Sequence, residues 1–386
     1  MSVYILNGAR TAVGSFMGGL STIRASELGA AAIKDALNRA EIDGAKIDQV
    51  YMGLVVAAGA GQAPARQATI FAGLGEDVPA VTVNKVCGSG LMSIILGAQS
   101  ILAGDSKTVV AGGMENMSLS PHLLYTRVPS KFGNVEMRDS MLWDGLWDVY
   151  TDRAMGDCAE ECAKKFNITR QSQDEYAISS FKRAQAAVTD GTFKKEIVPV
   201  IKKEKGKDIV IETDEGPFKA NFEKIPALKP AFLKDGTITA ANASTINDGA
   251  AAVVLGDESY KAKARFKIVA YAFHAQNPTW FTTAPIMAMK KCSEKAKIPL
   301  EKIGLFEINE AFALVAMSAI KELQLDRERV NIYGSGISLG HPIGATGTRI
   351  VVTLMNALEQ KRERYGMASL CIGGGEALAM IIERLG

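Results

Sequence analysis

The chain has 386 residues, 47% of them apolar and 22% charged, with 37 glycines. That excludes a disordered or fibrous chain and exceeds what one hydrophobic core usually supports, so two units or two halves are expected. Its 44 basic and 42 acidic residues are spread along the whole chain, for a formal charge of +2, which excludes the basic face of a nucleic-acid-binding protein.

The opening Val3-Tyr4-Ile5-Leu6 reads as a strand with no basic stretch and long apolar run ahead of it, and Arg384-Leu385-Gly386 carries no address signal. A cytoplasmic protein is the expectation. An alanine-rich helix follows over Ala25 to Ala40, then a strand at Gln49-Val50-Tyr51-Met52. Val81-Thr82-Val83-Asn84 is the next strand, and after Cys87 a helix apolar nearly all round is predicted from Ser89 to Ala103, ahead of the strand Thr108 to Ala111. Such alternation makes a buried helix in an α/β layer structure. Ser93, Gly97, Gln99 and Ser100 interrupt this helix, so no membrane span is expected.

From Met117 to Asn221 the alternation breaks. Met155, Cys158, Ala159, Cys162, Ala163 and Phe166 fall at helical spacing, and Ser172-Gln173-Asp174-Glu175 reads as a capping box opening a second helix through Val188. The lysine-rich stretch Lys194 to Lys229 reads as solvated surface. Farther on, Leu305 to Ile308 is a strand and an apolar helix runs from the His341 loop toward Leu358. Val109 to Glu115 is echoed by Leu370 to Glu376, and Val50 to Gly53 by Leu305 to Ile308. The same shift carries Cys87 onto the loop His341 to Gly347, so the chain reads as two related halves whose equivalent loops face each other.

Chemistry concentrates in those loops. Cys87, followed by Gly88-Ser89-Gly90 at a helix start, sits where free N–H groups and the positive dipole end are expected to favour a thiolate. His341, one of three histidines, lies among small residues and suits a base for that thiol or a donor to an oxyanion. Cys371 ends an apolar strand and precedes three glycines, which suits a second reactive thiol. Cys158 and Cys162 lie on an apolar stripe and read as core, and Cys292 as a helix residue without chemistry. Asn309 follows a strand and suits either a helix cap or a water-positioning amide. Five cysteines without paired spacing argue against disulfides, and no Cys-x-x-Cys argues for a metal, so none is expected. Gly334-Ser335-Gly336 lacks the strand, third glycine and acid of a dinucleotide loop.

Taken together, Asn84 to Gly90, Gly112 to Ser118, Ala241 to Ala252, Asn309 to Phe312, Gly340 to Gly344 and Cys371 to Gly375 resemble the thiolase family, and closely its short-chain acetyl-CoA acetyltransferases, over nearly the whole chain. The resemblance implies two similar βαβαβαββ halves in a five-layered αβαβα core with an inserted loop domain. The halves fall at 1–118, completed by about 240–266, and at 267–386, with the CoA-binding loop domain at 119–239; a homotetramer or homodimer is implied. It further implies that Cys87 is acetylated, that His341 activates it, and that Cys371 removes the α-proton of a second acetyl-CoA. Asn309, through a water, and His341 would hold that thioester oxygen, and the N–H groups of Cys87 and Gly373 the oxyanion of the acyl-enzyme step.

Ser244 and Lys224 would contact CoA, with Met155 and Phe232 along its pantetheine. Several relatives carry a histidine where this chain has Ala154, and potassium-binding relatives carry a tyrosine where it has Phe181, which argues against potassium activation. CoA is then substrate and product, and no cofactor is expected. Three other readings stay open: a 3-ketoacyl-CoA thiolase for longer chains, a ketosynthase, against which Cys371 speaks, and a silent acyl-CoA-binding subunit.

Overall fold

The computed structural model describes residues 2–127 and 131–386. Its first half runs β1 (Val3–Thr11), α1 (Ala25–Ala40), β2 (Gln49–Gly53), α2 (Pro64–Phe71), β3 (Ala80–Val83), α3 (Ser89–Ala103) and β4 (Thr108–Asn116). An insert follows, built on α4 (Met155–Lys165) and α5 (Arg170–Thr189), before β5 (Asn247–Gly256) returns to the first half. The second half is β6 (Phe266–Ala275), α6 (Ala284–Ala296), β7 (Leu305–Ile308), α7 (Ala313–Leu323), α8 (Gly336–Leu339), α9 (Ile343–Lys361), β8 (Tyr365–Ile372) and β9 (Glu376–Arg384).

The strands line up in the order β7-β8-β9-β6-β1-β5-β4-β2-β3. Two sheets of the same design meet where β1 pairs with β6 across Val3 to Ile5. In the first half β1-β5-β4 is antiparallel, then β4-β2-β3 parallel. The second repeats this as β6-β9-β8 antiparallel and β8-β7 parallel. A further strand there shrinks to one bridge, Phe306 to Val330. Parallel pairs demand crossover helices, and these supply the layers. α1 and α2 cover one sheet, α6 and α7 lie outside the other, and α3 packs on α9 between them, α9 touching strands of both sheets. The chain has the five-layered architecture.

The central position of α3 explains its composition. Leu91, Ile94, Ile95 and Ile101 of the helix are fully buried, and Ser93 returns its hydroxyl to Ser89 O at 3.0 Å, so burying it leaves no donor unpaired. One expectation needs correcting here. The stretch Val86–Ala103 reaches a mean hydropathy of 1.7 over 18 residues, long and apolar enough for a membrane span by composition, and its serines and glycine do not bring it below that mark. Burial between two sheets accounts for its apolarity.

A second correction concerns α5. The helix opens before Ser172: Thr169 is the cap and accepts a hydrogen bond from Ser172 N, while Ser172 lies in the first turn. The spacing of Thr169 and Ser172 is that of a cap and its third helical residue, which the later acidic pair obscured. The lysine-rich hairpin Val200–Ile211 does stand exposed, but the chain just beyond it is anchored. Asp214 is buried and takes two hydrogen bonds from Arg10 of β1, at 2.7 and 2.9 Å, while Glu196 takes a third.

Candidate active site

The parallel strands β3 and β7 lead into the loops that carry Cys87 and Asn309, and Cys371 is the last residue but one of the parallel strand β8. Cys87 follows a tight turn in which Val86 holds φ at +46°, a left-handed conformation that costs a β-branched residue about 1–2 kcal/mol. The turn is over-determined by its neighbours. Asn84 accepts from Val86 N at 3.0 Å, and Ser89 accepts from Lys85 N at 2.9 Å while donating to Val86 O at 2.7 Å. Asn84 and Ser89 of the motif therefore shape the turn that leads into Cys87.

Cys87 itself is half-buried, and the N–H groups of Gly373 and of Cys87 itself lie near its Sγ. Burial nonetheless pushes the thiol up to about 11, with the two N–H groups opposing and Glu115 adding to the rise. This corrects the expectation of a dipole-stabilised thiolate, because desolvation outweighs the helix end. Cys87 therefore rests as a thiol.

His341 presents one ring nitrogen without a protein partner. Its N–H donates to Asn247 Oδ1 at 3.0 Å, and its Nδ1 lies 2.6 Å from Thr346 Oγ1. Thr346 spends its single hydroxyl proton on Pro342 O at 2.9 Å, so Nδ1 must carry the proton of the imidazole pair. The lone pair is thereby left on Nε2, which is buried with no protein partner. Burial first, then Arg349, lowers the ring's pKa to about 3 and keeps it neutral.

Asn309 does not cap a helix, since α7 begins at Ala313 behind Phe312. Its N–H donates to Ser369 O at 2.9 Å, two residues ahead of Cys371. Its side-chain amide is buried with neither atom paired, which leaves it free to hold a water or a substrate oxygen. Cys371 is fully buried, and its thiol is held well above the usual range by burial and then by Cys87 beside it. Cys158, Cys162 and Cys292 are core residues.

A cavity of about 670 Å³ opens among Lys224, Phe232, Ser244, Phe181, Ala243 and Ile246. Its wall reaches the reactive loops, for Ser244 N donates to Ala311 O at 2.9 Å. The Phe232 ring lies against Gly156, whose neighbour Met155 reaches toward Gly373: a Cβ there would stand 3.8 Å from its sulfur. Among the sequence candidates, Cys87, Cys371 and Gly373 thus meet directly. Phe232 and Met155 bridge toward the cavity that Lys224 and Ser244 line.

Family models for the thiolase N-terminal domain and the thiolase C-terminal domain match residues 3–259 and 261–384. The chain belongs to the thiolase family. It is 47% identical over 390 residues to an acetyl-CoA acetyltransferase of Yarrowia lipolytica, covering 100% of this chain and 97% of that one. A mitochondrial acetyl-CoA acetyltransferase of Mus musculus is 46% identical, covering 99% and 91%. The crystal structure of Acat5 thiolase from Ascaris suum in complex with coenzyme A superposes with a TM-score of 0.95 at 43% identity, each chain covered in full.

In this thiolase α9 packs directly on glycines of β4 and α3. A Cβ at Gly113 would lie 2.0 Å from Gly344 O, and one at Gly90 would lie 2.7 Å from Thr348 N. Only hydrogen fits, so the starts of α3 and α9 approach closely enough to bring the Cys87 and His341 loops side by side. Sequence reading missed Glu115, buried between these loops. Its signal was a lone acid within the apolar strand β4.

Proposed function

We propose that this thiolase is an acetyl-CoA C-acetyltransferase, interconverting two acetyl-CoA with acetoacetyl-CoA and CoA through an acetyl group on Cys87. The observation that carries the reading is the Cys87 Sγ between the N–H groups of Cys87 and Gly373, with the Cys371 thiol beside it. In the first half-reaction Sγ attacks the thioester carbon, its proton passes to His341 Nε2, and Cys371 protonates the leaving CoA thiolate. The two N–H groups stabilise the oxyanion.

In the second half-reaction the Cys371 thiolate takes the α-proton of another acetyl-CoA, whose enolate oxygen is held by His341 and, through a water, by Asn309. The enolate carbon attacks acetyl-Cys87, and the departing Cys87 thiolate recovers its proton from His341. Lys224 and Ser244 would hold CoA, with Phe232 and Met155 along its pantetheine. CoA is the cargo, and no resident cofactor is needed. Phe181 in the cavity wall offers no oxygen to potassium, so equal turnover in potassium and sodium salts is expected.

The unit assignment that fits this reading is 1–118 with 240–266, a CoA-binding segment 119–239, and 267–386. A homotetramer or homodimer would cover the open edge of β3 at Val81 and the exposed Phe71 of α2 beside it, and light scattering would give the mass. The five unpaired cysteines favour the cytoplasm over an oxidising compartment, and fractionation tests it. The deciding assay is CoA-dependent cleavage of 3-ketoacyl-CoA substrates from four carbons upward. A sharp preference for acetoacetyl-CoA is expected. Comparable rates on long chains would make the protein a broad-range 3-ketoacyl-CoA thiolase, and no cleavage of any would leave an acyl-CoA-binding subunit.

A further inference from the structure

Glu115, near the end of β4, has no part in the steps above, yet it is fully buried beside them. Its carboxylate accepts three main-chain hydrogen bonds: Oε2 from Val55 N at 3.1 Å and Gly344 N at 2.8 Å, and Oε1 from Val56 N at 3.2 Å. Val55 and Val56 follow β2 in the first half, whereas Gly344 belongs to the first turn of α9 in the second. The cap position of α9, Pro342, offers no side-chain acceptor, so a free N–H at the positive end of this 19-residue helix is satisfied from the other half. His341 stands immediately before that turn. The packing on glycine then makes the contact short, because Gly113 of the same strand lies against Gly344.

We propose that Glu115 is a positioning residue for acyl transfer: its carboxylate, bonded at once to the Val55–Val56 turn and to the first turn of α9, holds the His341 loop in register with Cys87. The inference rests on the reading of Cys87 as acyl carrier and His341 as its base. The acid faces Asp248 and Cys87 as charged or titratable neighbours. Burial, and lastly Asp248, raise its carboxyl to about 7 against the three N–H bonds. Its own negative charge opposes ionisation of Cys87. Holding the base therefore comes with a less acidic nucleophile, and the two effects separate on substitution.

Glu115→Gln keeps the shape but removes the charge and turns an amide NH2 toward the N–H donors. Three quantities are compared with the wild type: single-turnover acetylation of Cys87 by acetyl-CoA, steady-state kcat and KM, and the pH midpoint of Cys87 alkylation by iodoacetamide. The expected result is acetylation and kcat slower by roughly tenfold or more, KM within about threefold, and an alkylation midpoint moved to lower pH. Loosening of the fold alone would also lower the midpoint, by letting water reach the thiol, so Glu115→Asp, which keeps the charge, is measured beside it: a midpoint lowered there too would show loosening, and overturn the inference. One methylene short of Gly344, Glu115→Asp should slow acetylation and leave the midpoint unchanged, and it replaces Glu115→Gln if that variant does not fold. Acetylation within about threefold of wild type in the folded variant overturns the inference. A wild-type protein that takes no acetyl label on Cys87 overturns the underlying reading as well.

Discussion

At the scale of single residues, the site is governed by which proton sits where. Thr346 matters because it has one hydroxyl proton and gives it to Pro342 O, so the imidazole of His341 must donate through Nδ1 and present Nε2 as a base. Thr346→Val removes that acceptor; kcat should fall by roughly 10–100-fold with KM little changed, and a kcat within twofold of wild type would refute the tautomer assignment. The pH dependence has a definite sign. With the histidine held near 3, it is neutral throughout the working range and contributes no acid limb above pH 5. With Cys87 pushed to about 11, the thiolate is a minor species at neutral pH. Alkylation of the free enzyme by iodoacetamide should therefore climb by about tenfold per pH unit between 7 and 9, as a one-proton ionisation requires. A plateau below pH 8 would show an acidic thiol instead.

Between elements, geometry is set by what is missing from side chains. Gly113 faces Gly344, and Gly90 faces Thr348, at distances a methyl group cannot occupy. Gly113→Ala must push α9 away from β4, and since neither backbone can yield alone, a loss of about 1–3 kcal/mol is expected from overpacking. The same displacement moves His341, so thermal melting and acetylation should both suffer; an unchanged melt would mean that α9 shifts freely. Serine and asparagine in the Cys87 motif belong to this scale too. They stabilise the strained Val86 turn, and what looks in sequence like reactive chemistry is partly scaffolding.

For the whole molecule, the insert has to be held to the paired sheets, and a buried charge cluster does much of this. Arg10 in β1 is fully buried between Glu196 and Asp214, both on the insert, and its guanidinium is held above its usual range despite burial by those two partners. Arg10→Met would leave two buried acids without their cation. The expected cost is about 3–5 kcal/mol, read as a lowered denaturant midpoint, because removing one partner of a buried pair is far worse than removing both. Residual activity of the folded fraction should persist, since none of the three residues is among the charges that act on either thiol.

The two-half plan, the reactive loops and the family were legible in the sequence, because periodicity and short ordered motifs survive without coordinates. The strands and the helices at Ala25–Ala40 and Ser89–Ala103 follow from patterning in which each residue reports its own burial. Cys87 and His341 stood out by residue type in glycine-rich loops, Cys371 at a strand end before three glycines, and Asn309 just after a strand. Protonation states were beyond that reach: Cys87 precedes a helix and reads as a thiolate, but only the folded structure shows that desolvation wins. Glu115 was illegible for a related reason, since its partners Val55 and Gly344 are main-chain groups from opposite halves. Local propensity records what a segment prefers; the tertiary structure alone decides which distant N–H groups a buried charge will meet, and therefore what the site can do.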